Sequence, residues 1–327
     1  MVARSSVPVI GTHGSPYLEK HHWQLDLGFR YQRSDRHFVG IKEQPQRYVL
    51  GNEVINWVYL GDISPTFAIT DRTTVSFSLP VLFADRSQAI RGPNGAYVSR
   101  YTTHSRGISD SALMFRRWMF NTEEHTTQNI SLGAGVKFPT GNDHVNDVFR
   151  TSLTSTSTHA IDQSIMPGDG KFGMVVDMQA FKRVWKMTLN AAGTYLINPV
   201  NTNGVQTARS NPAEAIFSVP DQYLARVYAA MPVLPDKYGL ALQIGGRFEG
   251  VPVHDLIGKS DGFRRPGYAL SIEPGVIWGF KQYVFNMSVP VALKRNRLRS
   301  VPDMQTGGAG DAAFADYLWI FGLSRRF

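Results

Sequence analysis

The stretch of sequence that decides the fold is the end of the chain, Asp316-Tyr-Leu-Trp-Ile-Phe-Gly-Leu-Ser-Arg-Arg-Phe327. Successive side chains of an extended strand point to opposite faces, so residues of one parity share a face. In this stretch one parity carries Tyr317, Trp319, Phe321, Leu323 and Phe327. No hydrophobic core requires a chain to stop on an exposed aromatic residue. The ending therefore indicates a strand whose apolar face meets something other than a core.

The same alternation recurs along the rest of the chain. In residues 23–31 every odd position is apolar, and the even positions hold Gln, Asp, Gly and Arg. In residues 130–138 the even positions are apolar, with Ser, Gly, Gly and Lys between them. We count about twelve such runs, each roughly ten residues long, the length that a tilted transmembrane strand requires.

The links between these runs alternate between short and long. The short links are residues 70–73, 121–128, 182–186, 233–239 and 279–282. The long links are residues 34–52, 84–106, 139–170, 198–219, 250–266 and 294–312. A β-sandwich has no reason to keep its long loops at one end, whereas an up-and-down barrel with both termini in the periplasm requires this order. The sequence therefore predicts an all-β fold, a single up-and-down antiparallel transmembrane β-barrel of about twelve strands with short periplasmic turns and long extracellular loops.

Composition agrees with this prediction. No stretch approaches the roughly 18 consecutive apolar residues of a membrane helix, and alternating strands give a weak average hydropathy in any case. The absence of cysteine fits an exported protein. The formal net charge is +8, but Lys and Arg are scattered and match no nucleic-acid motif, so we expect no nucleic-acid partner. We expect residues 1–21 to form an N-terminal periplasmic segment, following a cleaved signal, and residues 22–327 to form the barrel.

Two resemblances support an outer-membrane location. The C-terminal residues of the strand described first resemble the signal that bacterial outer-membrane β-barrels present to their assembly machinery. Several short motifs resemble the outer-membrane transporter family associated with the meta pathway of phenol degradation. They are Ser64-Pro-Thr-Phe-Ala-Ile-Thr-Asp-Arg-Thr-Thr-Val-Ser-Phe-Ser-Leu-Pro80, Gly107-Ile-Ser-Asp110, Lys137-Phe-Pro-Thr-Gly141, Glu273-Pro-Gly275 and Val289-Pro-Val291. The resemblance implies a pore for small molecules and brings no catalytic residues with it.

Charged residues fall on the parity that faces the lumen. They are Asp26, Arg30, Asp62, Asp110, Arg116, Lys137, Asp177, Arg226, Arg247, Glu249 and Glu273. A charged Arg or Lys facing lipid at mid-membrane would cost about 2–4 kcal/mol, so the lumen is where these side chains must go. Two interpretations stay open: the charges filter permeants, or they pair and hold the strands together.

Other polar clusters carry little chemistry. His13-Gly-Ser15 precedes the first strand, and His104, His144, His159 and His254 lie in long links, with Asp143, Asp147 and Asp255 nearby. Residues 142–147 combine oxygen and imidazole ligands that could bind a divalent ion, but their spacing matches no strict template. We therefore predict no catalytic residue, no cofactor and no metal site.

The leading functional prediction is passive passage of small solutes, with an unidentified permeant. An alternative is a structural barrel that anchors an envelope protein complex and conducts little, and a weaker one is an outer-membrane enzyme. The expected surroundings are outer-membrane lipid and lipopolysaccharide, the barrel-assembly machinery and possible envelope protein partners.

Deleting Phe327 tests the assembly signal. The deletion removes the aromatic residue that ends the chain, although one terminal side chain contributes little to a folded barrel. We expect a marked loss of membrane-inserted, heat-modifiable protein, measured on gels of outer-membrane fractions. Normal amounts of inserted protein after the deletion would contradict the assignment.

Overall fold

The computed structural model describes residues 16–150, 152–234 and 239–327. Twelve antiparallel strands form a closed ring in which the last strand pairs with the first, which confirms the predicted architecture. The strands are β1 (Trp23–Val39), β2 (Ile55–Thr70), β3 (Thr73–Arg91), β4 (Tyr97–Ile108 and Ser111–Trp118), β5 (Gln128–Phe138), β6 (Gly173–Val184), β7 (Met187–Ile197), β8 (Gln222–Pro232), β9 (Leu240–Val251), β10 (Gly267–Ile272 and Gly275–Phe280), β11 (Tyr283–Ser288 and Val291–Arg297) and β12 (Ala312–Arg326).

The interruptions in β10 and β11 leave the ring intact. Both parts of β10 pair with β9, and both parts of β11 pair with β12. Pro274 and Pro290 stand at these interruptions, where a residue without a backbone N–H can be accommodated. The motifs Glu273-Pro-Gly275 and Val289-Pro-Val291 therefore mark the positions where two wall strands are interrupted.

The two faces of the wall have opposite character. On β1, Leu27 and Phe29 on the outer face are each 40% exposed, whereas Arg30 on the inner face is 5% exposed. Aromatic pairs lie towards both ends of the wall, with Trp23 against Phe67 near the turns. Such an arrangement buries polar groups and exposes apolar ones, because the surrounding solvent is lipid.

Short strands and helices lie outside the ring. Two hairpins, Asn146–Arg150 with Thr156–Ala160 and Thr202–Gln206 with Ile216–Ser218, lie in the long loops. The strand Lys42–Glu43, the helices Gln46–Val49 and Val301–Gln305 and the 3-10 helix Pro212–Glu214 lie in other loops or within these hairpins. Within the described ranges, no helix is long and apolar enough to cross a membrane.

The predicted long link at residues 84–106 is mostly strand. β3 and β4 continue to pair from Ala84 with Ser105 as far as Arg91 with Tyr97, so that residues 92–96 make the connection. The expected boundary was wrong because the apolar alternation stops where lipid stops, whereas backbone pairing does not depend on it. The β3–β4 hairpin therefore extends beyond the level at which the apolar alternation ends.

The loop between β5 and β6, residues 139–172, folds back into the barrel. Ile161 and Ile165 are each 0% exposed, and they pack in one cluster with Leu60 of β2 and Leu82 and Ala84 of β3. The sequence predicted an outward-facing loop, and this part of it lies inside the wall. The loop fills space beside an apolar patch of the inner face.

The described part of the N-terminal segment reaches the turn end of the lumen. The Tyr17 ring packs edge-on against Trp118 at 5.0 Å and against Phe181 at 5.9 Å. The backbone N–H of Lys20 donates to Asp71 in the β2–β3 turn, and His21 stacks on Phe67. Residues 1–15, including His13 and Ser15, lie outside the described residues, so the boundary at residues 21 and 22 stays a prediction.

Cysteine labelling tests which end of the barrel faces outward. Lys186 lies exposed in the turn between β6 and β7, and Ser155 lies exposed in the long loop between β5 and β6. On intact cells we expect an impermeant maleimide to label Ser155→Cys at once and Lys186→Cys after the outer membrane is permeabilised. Labelling in the opposite order would overturn the topology.

Candidate functional site in the barrel lumen

A cavity of about 860 Å³ runs along the inside of the barrel. At the turn end its lining begins with Asp26 and Ser76, and at the loop end it reaches Arg91 and Tyr101. Eight of the predicted lumen residues line it, namely Asp26, Arg30, Asp62, Asp110, Arg116, Lys137, Asp177 and Glu249. The other three, Arg226, Arg247 and Glu273, are buried in ion pairs and do not belong to the lining.

One buried network joins strands on different sides of the ring. Glu249 of β9 accepts hydrogen bonds from Arg30 of β1 at 2.9 Å and from Arg247 at 2.8 Å. Glu273, beside β10, accepts from Arg226 of β8 at 2.8 Å. Each of these five side chains is at most 6% exposed. Charged groups that are buried so far from water need partners of opposite charge, and here each carboxylate has arginine partners.

The other wall charges are held in a similar way. The guanidinium of Arg116 on β4 donates to Asp177 on β6 at 2.6 Å. Lys137 on β5 pairs with Asp169, with Asp110 also 3.8 Å from its ammonium. Asp62 accepts from the hydroxyls of two serines and Asp26 accepts from Ser324 and Gln24. The charges can still act both as a filter for permeants and as pairs that hold the strands together, but the contacts they make are those of cross-strand pairing.

The signs of the lining charges separate along the barrel axis. The loop end holds the bases Arg47, Arg86, Arg91, Arg150, Arg209 and Arg265 and the acids Asp162 and Asp311. The rest of the lining holds the bases Arg30, Arg116 and Lys137 and the acids Asp26, Asp62, Asp110, Asp169, Asp177 and Glu249, which lie on or between the wall strands except for Asp169 of the β5–β6 loop. The loop end is therefore the positive end of the cavity, and a narrow low-dielectric passage strengthens such a potential.

Sequence reasoning missed the most concentrated part of this positive region. Arg265 makes two hydrogen bonds to Asp162, at 2.7 and 2.6 Å, and Arg86 lies 3.4 Å from the same carboxylate. Burial alone would raise the pKa of Asp162, but Arg265 and Arg86 outweigh it and hold that pKa well below its usual range. Asp162 is thus an anion that holds the inserted loop to two arginines.

A signal in the sequence could have indicated the inserted loop. Leu60, Leu82 and Ala84 are apolar at positions whose parity faces the lumen. Residues 79–84 are continuously apolar, which an alternating strand with a water-filled interior does not require. Apolar inward residues need a cover, and the loop provides it.

The C-terminal residues lie on β12 and beyond its end. Tyr317, Leu323 and Phe327 are exposed, and Trp319 and Phe321 stack at 6.2 Å in the same row. Phe327 exchanges backbone hydrogen bonds with Trp23 at the turn end, where β12 meets β1. The proposed assembly signal is therefore displayed on the strand that closes the ring, and its role stays a prediction.

The loop histidines do not assemble into a shared site. His104 contacts Asp85 and His144 contacts Asp143, each at 2.6 Å, and both histidines are exposed. His159 stacks on Phe149 at 3.6 Å. Across residues 16–150, 152–234 and 239–327 there is no group of three or more His, Asp or Glu that could hold a metal ion.

Comparison with known proteins adds structural relatives. No protein-family model and no curated protein matches the sequence. The structure resembles an outer-membrane channel from Pseudomonas putida F1, with a TM-score of 0.62 and 12% identity over 98% of this chain and 100% of that one. It also resembles the β domain of the Bordetella autotransporter BrkA, with a TM-score of 0.50 and 8% identity over 94% and 100% of the two chains. At these identities the likeness shows the fold alone.

The closed ring, the apolar outer face and the buried polar interior define the class of protein. The chain is a bacterial outer-membrane β-barrel of twelve strands. Its position in the outer membrane agrees with the prediction from the sequence.

Substitution of Glu249 tests the buried network. Glu249→Gln leaves Arg30 and Arg247 without their shared carboxylate, and breaking a buried pair in this way typically costs about 3–5 kcal/mol. We expect a clearly lower urea midpoint for the folded barrel in detergent, followed by tryptophan fluorescence and heat-modifiable mobility.

The matched control is Arg33→Gln, which breaks an ion pair to Asp35 whose arginine is 53% exposed. Exposed pairs contribute about 0–1 kcal/mol, so this control should unfold close to the parent. Equal midpoints for Glu249→Gln and Arg33→Gln would show that the network does not stabilise the barrel.

Proposed function

We propose that the protein is an outer-membrane pore for the passive passage of small solutes. The observation that carries the proposal is the cavity that follows the barrel axis from the level of Asp26 to that of Arg91. Its wall carries polar groups braced by ion pairs such as Arg116 with Asp177, and these groups can replace part of the hydration shell of a solute. The channel from Pseudomonas putida F1 supports the proposal through its shared fold.

Membership of the transporter family associated with the meta pathway of phenol degradation belongs to this proposal. It is supported by the motifs quoted from the sequence, two of which coincide with the interruptions of β10 and β11. Outer-membrane lipid and lipopolysaccharide around the apolar face, and assembly machinery acting on the C-terminal strand, are parts of the same proposal.

A second candidate is the anchoring barrel that conducts little. The features that favour it are the inserted loop, with Ile161 and Ile165 buried inside the wall, and Tyr17 packed at the turn end. Both reduce the free cross-section of the lumen. The two candidates share a fold and differ in permeability.

Liposome swelling distinguishes the two candidates. Purified protein reconstituted into liposomes should admit small sugars and amino acids, with a rate that falls steeply as solute size increases, because the cavity has a volume of only about 860 Å³. Swelling no faster than in protein-free liposomes would exclude the pore and favour the anchoring barrel. An Ile165→Asn variant, which weakens the packing of the inserted loop, should swell faster than the parent if that loop limits passage.

A further inference from the structure

Charged side chains on the outer face of the wall differ between the two ends of the barrel. Towards the loop end, acids and bases occur together: Asp85 lies 2.6 Å from His104, and Asp35 lies 2.8 Å from Arg33. Towards the turn end, the outward parity of the described strands carries no acid. The bases at the turn end are therefore not matched by acids on the same face.

Three bases occupy this outward parity at the turn end. Arg117 on β4 alternates with Phe115 and Met119, which are 51% and 43% exposed. Lys182 on β6 and Arg325 on β12 share the parity of the exposed apolar residues of their own strands and are themselves exposed. A lipid-facing Arg or Lys costs least near the bilayer interface, where its long side chain reaches the headgroups. The turn end is thus a depth at which the wall can carry these charges.

Two tight turns add further bases at the same end. The β6–β7 turn is Trp185-Lys186, and the β10–β11 turn is Lys281-Gln282. Both lysines are exposed. We use the name turn-end belt for the five exposed bases of this region, which are Arg117, Lys182, Lys186, Lys281 and Arg325.

The turn-end belt has no acidic partner among the described residues. No carboxylate of that part of the chain lies within 4.0 Å of a basic group of the belt. Arg117 donates to a neutral partner, the hydroxyl of Thr73, at 3.1 Å. The described turns do contain acids, but Asp71, Glu123 and Glu124 lie in the β2–β3 and β4–β5 turns and form no ion pair with the belt. The belt therefore presents positive charge to its surroundings.

Exposed aromatic rings lie beside the cations of the belt. The guanidinium carbon of Arg325 is 4.4 Å from the centre of the Phe327 ring and 5.4 Å from that of Tyr283. The ammonium of Lys281 is 5.3 Å from the centre of the Phe280 ring. Phe327 and Phe280 are 54% and 53% exposed, and aromatic rings favour the bilayer interface. A cation beside such a ring is held at headgroup level and keeps N–H donors for an outside acceptor.

The backbone of the two turns does not account for these residue types. Trp185 has a φ of 55° and Lys281 a φ of 52°. A positive φ at the first position of a two-residue turn favours glycine. Trp185 is instead 82% exposed, with the Lys186 ammonium 5.3 Å from its ring. Each turn thus presents a base, and one of them an exposed ring as well, at a place where the hairpin alone would favour a small residue.

These features define one kind of partner. The surface is positive, lies at headgroup depth and continues directly into the apolar face of the wall. We propose that the turn-end belt binds the phosphate groups of an anionic phospholipid, phosphatidylglycerol, in the periplasmic leaflet of the outer membrane. The phosphate oxygens accept hydrogen bonds from the guanidinium and ammonium groups, and the acyl chains lie along the apolar outer face.

The belt offers more than one lipid position. Arg325 is in register with Tyr283, the residue that follows the β10–β11 turn, so Lys281 and Arg325 lie on neighbouring strands. Arg117 and Lys182 lie on β4 and β6, with β5 between them. The proposal deepens the lipid contact named in the proposed function and rests on that contact, but it does not depend on conductance.

Native mass spectrometry of the refolded full-length barrel in detergent tests the belt. The probe is an equimolar mixture of phosphatidylglycerol and phosphatidylcholine with identical acyl chains. We expect phosphatidylglycerol to be retained in excess, and the excess to fall as ionic strength rises, because the attraction acts between exposed charges. Equal retention of the two lipids by the parent protein would overturn the proposal.

Lys281→Gly separates lipid binding from folding. Glycine suits the positive φ of this position, so heat-modifiable mobility in lipid-free detergent should persist to at least the temperature of the parent. Loss of one base should lower the preference for phosphatidylglycerol about fivefold, and adding Arg325→Gln should lower it further. A folded double variant with the preference of the parent would show that the belt does not bind the lipid.

The matched control removes two charges at the other end of the wall. Arg106 and Lys294 are exposed residues of β4 and β11 towards the loop end. The double variant Arg106→Gln with Lys294→Gln should keep the preference of the parent. A loss as large as that of the turn-end pair would indicate attraction to net charge alone and would overturn the proposal.

Liposome swelling separates this proposal from the proposed function. A barrel that prefers phosphatidylglycerol but admits no solute would support the belt and exclude the pore. A barrel that admits solutes but retains both lipids equally would support the pore and exclude the belt.

Discussion

The closure of the hydrogen-bonded ring is the constraint on which the rest of the structure depends. Lipid offers no donor or acceptor, so every backbone N–H and C=O at membrane depth must find a partner within the protein. Pairing of β1 with β12, from Gln24 with Arg326 to Phe38 with Ala312, removes the two edges that an open sheet would leave. Once the ring is closed, the alternation of side chains sends one parity into lipid and the other into the lumen.

That division determines where the charges go and what they must do. Apolar residues such as Leu27 and Phe29 occupy the lipid face, and the charged ones are left to share an interior with little water. A buried ion pair gains less than its attraction indicates, because both ions lose hydration, but an unpaired buried charge is worse. The pairing of Glu249 with Arg30 and Arg247 follows from this, and its bond to Arg30 links residues that are distant in the chain because β1 and β9 face one another across the ring.

The sequence was sufficient to predict the strands of the wall, but it was insufficient to predict the contacts inside the barrel. A period of two residues is a local property, so the runs of alternating residues identified the strands, and the order of link lengths identified a barrel. The partners of the inward charges depend on register and on the closure of the ring, which no single run of residues records: nothing near Arg116 in the chain indicates Asp177. The inserted loop is harder still, because Ile161, Ile165 and Met166 have no periodic pattern and are buried against residues of β2, β3 and two other loops. The end of β3 was misplaced for a related reason, since pairing above the membrane needs no apolar face.

The interpretations of the lumen charges as structural pairs and as a filter apply to different places in the molecule. Charges on the wall lie at membrane depth, where an unpaired ion is costly, and the wall residues accordingly sit in ion pairs or accept several hydrogen bonds. Loops above the membrane border water, and there a guanidinium such as that of Arg209 can stay without a carboxylate at little cost. Surplus charge that attracts a solute can therefore accumulate at the loop end, whereas the same surplus in the wall would weaken the barrel. The physical cost of desolvation thus places any electrostatic selection where loops converge over the lumen and leaves the wall charges to hold the ring together.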